Sequence, residues 1–193
     1  MNRNIILSGV GGQGTILASR LIAAAAMEKG YPILAAETIG MAQRGGSVFS
    51  HLRIGENLHS PLIARGQADL IIGFEPGETV RQLPFLSEGG TVVVSSRPVM
   101  PVSASIGLSS YDSEEMISYL RAHTADPVIV DTAALAEDLG SVKVLNVALL
   151  SAAARSGALG FTEADLEEAI RRTVPERFLD LNLRALRWGS GTF

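Results

Sequence analysis

The 193-residue chain has no cysteine. That excludes a disulfide scaffold, a thiolate nucleophile, a cysteine-ligated zinc and an iron–sulfur cluster held by this chain alone. Positive charge is also short: sixteen Lys and Arg face twenty Asp and Glu, for a formal charge of −4 and a pI near 5.4. Neither nucleic acid nor an anionic membrane is expected as the main partner, because both select clustered positive charge. Long apolar runs are missing as well. The longest, Leu21 to Met27, is far too short to span a bilayer, and the first residues turn to glycine too soon for the apolar core of a signal peptide. A soluble, cytoplasmic protein is expected. Charged residues at 19% and hydrophobic residues at 47% exclude intrinsic disorder.

Aromatic residues make up only 5% of the chain, whereas glycine occurs twenty times. An aliphatic core with glycine-rich turns suits an α/β fold whose backbone closely approaches a ligand or another backbone. The length fits one domain, residues 1–193. Asn4 to Ser8 reads as a buried strand, Thr15 to Lys29 as a helix and Tyr31 to Ala36 as a second strand, together a βαβ unit. Ser47 to Ile54 alternates Val48, Ser50, Leu52 and Ile54 against Ser47, Phe49, His51 and Arg53, which predicts a strand with one better-buried face. Further strands are expected at 68–74, 91–95 and 127–131, and helices at 78–86 and from Asp112–Ser113 to His123. From Thr132 onward the signals are helical, with a capping-box start at Thr162 and Asp165 and a final helix opened by Pro175. The expected fold class is α/β: a Rossmann-like, open, mostly parallel sheet with helices on both faces and a helical C-terminal portion at about 143–190.

Gly9-x-Gly11-x-x-Gly14, after a strand and before a helix, is the dinucleotide fingerprint in its proper setting. Such glycines permit a tight turn, bring backbone N–H groups toward phosphate and aim a helix N-terminus at negative charge. Equally, they allow close strand–helix packing or contact with another protein. Thr15 occupies the place where a phosphate-reaching P-loop lysine is required, so ATP or GTP hydrolysis is not expected. Glu37, ending the second strand, lies near where a carboxylate would bind an NAD ribose. In the segment Glu37 to Ser47, Arg44 offers a planar donor fork for a carboxylate or phosphate, and Gly45 and Gly46 could expose N–H groups as an anion nest. A structural Arg44–Glu37 pair is the alternative. The three histidines have no metal-ligand spacing, and no Gly-x-Ser-x-Gly elbow or acid–base pair stands out. Asp131 ends a strand where open α/β sheets bind ligands, or it caps the next helix. Phe178, Leu179, Leu181, Leu183, Leu186 and Trp188 either fold back onto the domain or dock on a partner subunit.

Gly9-Val-Gly-Gly-Gln-Gly14, Glu37-Thr-x-Gly-Met-Ala-Gln-Arg-Gly-Gly-Ser-Val48 and His51-Leu-Arg-Ile-Gly55 together resemble the gamma domain of 2-oxoacid:ferredoxin oxidoreductases, nearest to the small (beta) subunits of the indolepyruvate branch. Lys143-x-x-Asn146 and the stretch from Asn182 to Ala185 are similar to the family's C-terminal part. The resemblance implies a subunit of an enzyme that decarboxylates an arylpyruvate on thiamine diphosphate, passes electrons through [4Fe–4S] clusters to ferredoxin and releases an acyl-CoA. It implies that thiamine diphosphate and the clusters belong to a separate large subunit, while the gamma domain supports assembly and coenzyme A binding. By position, Gly11, Gly12, Gln13 and Gly14 become the phosphate-facing loop, with Arg44, Gly45 and Gly46 near the ligand or subunit boundary. Two other readings stand beside this one: a freestanding NAD-binding oxidoreductase, resting on the glycine fingerprint and Glu37, and a purely structural assembly subunit. A homodimer of the isolated chain stays open.

Overall fold

A computed structural model describes residues 1–38, 45–107 and 110–189. The sheet has six strands: β1 (Arg3–Val10), β2 (Ile33–Glu37), β3 (Ser47–Ile54), β4 (Ala68–Gly73), β5 (Leu86–Ser95) and β6 (Val128–Val130). Their spatial order is β2-β3-β1-β4-β5-β6. Pairs β1–β4, β4–β5 and β5–β6 are parallel, whereas β3 runs antiparallel to both β1 and β2. The open, mostly parallel sheet expected from sequence is therefore present, with one correction. Residues 4–36 do not form an adjacent βαβ pair, because β3 returns between β1 and β2 and pairs along its full length with β1.

The helices are α1 (Thr15–Glu28), α2 (Pro76–Gln82), α3 (Val102–Ser105), α4 (Ser113–His123), α5 (Thr132–Leu139), α6 (Leu145–Arg155), α7 (Glu163–Thr173) and α8 (Glu176–Arg187). Strand alternation sorts them onto two faces. Ile5, Leu7, Leu52, Leu70, Ile72 and Val93 point to a large core closed by α1, α5, α6, α7 and α8. Ile6, Ile71, Val92 and Val94 point to a smaller core closed by α4, by Ile63, by Val80 of α2 and by Leu83 and Phe85 just after it. On α1 the buried residues Ala18, Leu21, Ile22, Ala25 and Ala26 recur at helical spacing, and three small alanines let the helix lie close to the sheet. Each fully buried leucine or isoleucine contributes about 1.5–3 kcal/mol relative to exposure.

The C-terminal portion folds back onto the domain. Leu183, Ala185 and Leu186 are buried and Leu179, Leu181 and Trp188 pack on the same core. Phe178 stays 47% exposed, with the Arg177 guanidinium 4.7 Å above its ring. The capping box forms as expected: Thr162 Oγ1 accepts from Asp165 N–H at 3.2 Å and Asp165 Oδ2 accepts from Thr162 N–H at 2.8 Å. Pro175 sits one position before the final helix as its cap residue, rather than inside its first turn. Among the described residues no helix is long and apolar enough to cross a membrane.

The topology fixes where a ligand can sit. The chain leaves β1 for the face of α1 and leaves β4 for the face of α2. The C-terminal ends of β1 and β4 thus flank a topological switch point, the usual crevice of open α/β sheets.

Candidate functional site

The glycine turn starts at the end of β1 and is built around Gln13. Its backbone N–H donates to Val10 O at 3.2 Å, its Oε1 accepts from Val10 N–H at 2.7 Å, and its Nε2 donates to Phe74 O at 2.9 Å. The side chain therefore staples β1 to the residue that follows β4 and faces inward, away from the cavity beside the turn. Phe74 N–H adds a bond to Ser8 O at 2.7 Å. Gly9 makes the staple possible: a Cβ there would lie 2.7 Å from both Gln13 Oε1 and Phe74 Cβ.

Gly12 and Gly14 adopt φ values of 102° and 88°, a region that L side chains rarely enter. Gly14 is also the N-cap of α1, and among the described residues no side chain caps the helix's first-turn N–H groups. Such an uncapped end carries free donors and the positive pole of the helix dipole. It opens on a cavity of about 400 Å³, with Gly11, Gly12, Gly14, Thr15 and Ile16 on one wall and Glu37, Thr38 and Val48 to Ser50 on the other. Volumes of this order suit part of a nucleotide-sized ligand. The two walls differ in chemistry: backbone donors on one side, a carboxylate at the end of β2 on the other, with Ile16, Val48 and Phe49 supplying apolar surface.

The second glycine segment is bonded to the first. Gly11 N–H donates to Gly46 O at 2.9 Å, and Gly45 N–H donates to Gly11 O at 3.4 Å. These bonds continue the β1–β3 ladder past its last pair, Val10 and Ser47. The amides of Gly11 and Gly45 are thereby engaged, which leaves Gly12, Gly14, Thr15 and Ile16 as the backbone donors of the cavity. Arg44 lies outside the described residues.

Behind the Gly45–Ser47 strip is a second cavity of about 440 Å³, bordered by Val10, Glu75, Glu78, Arg81 and Tyr111. Glu75, 2% exposed, accepts from Glu78 N–H at 2.8 Å and from the Tyr111 hydroxyl. Burial, and then the neighbouring Glu75 carboxylate, push the Tyr111 pKa well above that of an ordinary phenol. Ser47 Oγ donates to Glu78 Oε2 at 2.5 Å, and Arg81 pairs with the other oxygen of Glu78 at 3.3 Å.

Other candidates resolve into structural roles. Asp131 caps α5, accepting from Ala133 and Ala134 N–H at 2.9 and 3.1 Å. His51 is buried; its Nδ1 accepts from Ile63 N–H at 2.9 Å, and its ring sits between Phe49 and Phe85. Burial lowers its pKa. His123 stacks on Tyr119 and bonds to the Tyr119 carbonyl at 2.8 Å. Among the described residues no group of three His, Asp or Glu is placed to hold a metal ion. Two contributors were not read from the sequence as part of this site, although Asn146 stood in the Lys143-x-x-Asn146 resemblance. Asn146, 2% exposed, lies under the turn with its Nδ2 3.1 Å from where a Gly14 Cβ would stand. Glu78, bonded to Ser47 across 31 positions of sequence, carries no local signal of that contact.

The comparisons with known proteins agree with this architecture. The family model described as pyruvate ferredoxin/flavodoxin oxidoreductase matches residues 4–191. The indolepyruvate oxidoreductase subunit IorB of Archaeoglobus fulgidus is 41% identical over 190 residues, covering 98% of this chain and 94% of that one. The keto/oxoacid ferredoxin oxidoreductase gamma subunit of Geobacter sulfurreducens superposes with a TM-score of 0.71 at 25% identity, covering 97% of this chain and 95% of that one. The 2-oxoglutarate:ferredoxin oxidoreductase of Magnetococcus marinus, solved with 2-oxoglutarate, coenzyme A and succinyl-CoA bound, shares the fold at 19% identity and a TM-score of 0.68. There the match takes in 98% of this chain but 30% of that one. With a family match across nearly its whole length and a glycine turn built for close backbone approach, the chain belongs to the pyruvate ferredoxin/flavodoxin oxidoreductase family.

Proposed function

We propose that this chain is the small subunit of a cytoplasmic enzyme that oxidatively decarboxylates an arylpyruvate, indolepyruvate foremost, to an acyl-CoA with ferredoxin as electron acceptor. We further propose that the cavity beside the glycine turn receives the phosphate-bearing part of coenzyme A. One observation carries the second proposal: the N-terminus of α1 has no side-chain cap among the described residues and lines a cavity through Gly14, Thr15 and Ile16. A helix end left with free donors and a positive pole suits a phosphate.

In this reading the chain binds and positions, and a large partner subunit carries the chemistry. Thiamine diphosphate, which stabilises the carbanion left by decarboxylation, and the [4Fe–4S] clusters belong to that partner. A chain without cysteine offers no thiolate to a cluster, so ferredoxin is reached through the partner. The N–H groups of Gly12, Gly14, Thr15 and Ile16 orient a phosphate oxygen, and Arg44 adds a charged donor fork. Glu37 accepts from hydroxyl or amide donors of the same ligand. Ile16 and Val48 keep water from the rim.

A second reading, NAD binding, is favoured by Glu37 lining the same cavity as the fingerprint. The strand order weakens it. In dinucleotide folds the acidic residue ends the strand next to the glycine turn. Here β3 intervenes, which places Glu37 two strand spacings, roughly 10 Å, from β1.

The test is reconstitution with the large subunit and a steady-state assay in which CoA is varied. Ile16 is 46% exposed on the first turn of α1, so Ile16→Glu leaves the core intact and adds a negative charge to the cavity wall. At about 6 Å and an effective dielectric constant near 40 the repulsion is about 1.4 kcal/mol. The KM for CoA should rise roughly tenfold relative to the neutral Ile16→Gln. Equal KM values for the two variants refute the CoA site and favour a purely structural subunit; saturable NAD binding without a response to CoA favours the dehydrogenase.

A further inference from the structure

The Gly45–Ser47 strip is the partition between the two cavities: Gly45 and Ser47 border the one behind it, while Gly11 and Val48, its bonding and chain neighbours, line the one in front. Glycines bring no side chain to pack and much conformational freedom to lose. Two backbone bonds, at 2.9 and 3.4 Å, tie this strip to Gly11. One further group fastens it from behind. Ser47 Oγ donates at 2.5 Å to Glu78 Oε2, a short bond to an ionised acceptor and hence one of the stronger kinds. Glu78 is 9% exposed and is itself fixed. Its N–H is held by Glu75 at 2.8 Å, and Glu75 in turn is held by Tyr111. An unbroken run of bonds thus leads from the acidic cavity through Glu75, Glu78, Ser47 and Gly46 to Gly11, the residue that precedes the cavity's first free amide.

We propose that Glu78 and Ser47 are positioning residues for the coenzyme A phosphate site, holding the glycine strip so that Gly11 and Gly12 present the turn in its binding geometry. This rests on the reading that CoA occupies the front cavity. Neither side chain touches that cavity in its own right; both act through the strip. The acidic cavity then has a function without a ligand of its own: it is the rear anchorage of the binding loop. It also explains a carboxylate behind an anion site. Glu78 faces away from the cavity in front, and its charge is met by Arg81 at 3.3 Å.

The test uses the reconstituted complex. Ser47→Ala and Glu78→Ala should each raise the KM for CoA about five- to tenfold, the loss expected for the net worth of one intramolecular hydrogen bond. The kcat at saturating CoA and the KM for the 2-oxoacid should stay unchanged. Glu78→Gln, whose amide oxygen still accepts from Ser47, should restore most of the affinity. The Ser47→Ala/Glu78→Ala double variant should be no worse than the poorer single variant, because both remove one interaction. Normal KM values in these variants, alongside a raised KM in Ile16→Glu, overturn the positioning role and leave the CoA site standing. A parallel fall of kcat in all variants, or full additivity in the double variant, also overturns it, since general loosening produces both. If Ile16→Glu itself leaves the KM for CoA unchanged, the site fails and the positioning role falls with it.

Discussion

Replacing Gln13 by alanine should destabilise the subunit by about 2–4 kcal/mol, although the residue is half-buried and lies in a loop. The side chain satisfies two backbone groups, Val10 N–H at 2.7 Å and Phe74 C=O at 2.9 Å. Each group left without a partner costs about 1–3 kcal/mol, and water entering from the turn recovers part of that. For a domain of this size each kcal/mol lowers the melting temperature by about 2–4 °C, so the midpoint should fall by about 4–16 °C in a thermal melt of the isolated subunit. Gln13→Glu sharpens the test. The carboxylate can still accept from Val10 N–H, but it sets an oxygen against Phe74 O. The folded state then binds the proton more tightly than the unfolded chain, whose carboxyl titrates near about 4.3. Relative to wild type, this variant should be weak at pH 7 and recover as pH falls through the raised folded-state value, because the protonated carboxyl donates to Phe74 O. A Gln13→Ala protein melting within about 2 °C of wild type, or a Gln13→Glu defect independent of pH, refutes the staple.

Two further outcomes follow from the same geometry. Gly14→Ala combines a φ of 88° with a Cβ only 3.1 Å from Asn146 Nδ2, so chemical denaturation should show a loss of about 1–3 kcal/mol. His51, its pKa lowered by burial, is held neutral by the fold, so its contribution is complete above about pH 6.5 and is lost as pH falls below that toward the folded-state value. Unfolding free energies from urea titrations should therefore decline below that pH with a slope of at most about 1.4 kcal/mol per pH unit. His51→Gln should flatten that slope, and an unchanged slope removes His51 as its source.

Local signals in this sequence translated well into local structure. Gly9 to Gly14 did open a turn into α1, Asp112 and Asp131 cap α4 and α5, and Thr162 with Asp165 closes a capping box. Each depends on bonds within a few residues of itself. What depended on distant partners was harder to read. The alternation over residues 47–54 marked a strand but not its place between β1 and β2, since pairing is chosen by the rest of the sheet. The strand expected at 91–95 starts earlier, at Leu86, because β5 runs through Gly89 and Gly90 with a register shift opposite Ala68 and Leu70. Gln13 was legible as part of the glycine turn, but its inward direction required Phe74, 61 positions away. Glu78 and Asn146 support the site from other elements; Asn146 was legible as part of a family-like stretch, but its place under Gly14 and the bond of Glu78 to Ser47 depend on residues far away in sequence.

The most direct measurement is amide hydrogen exchange on the reconstituted complex with and without CoA. The account predicts that CoA slows exchange in peptides covering residues 11–18 and 37–50, with little change at 128–139 on the far side of the sheet. Saturation with CoA that leaves residues 11–18 as exposed as in its absence, with protection confined to the large subunit, contradicts the assignment of the phosphate site to this chain.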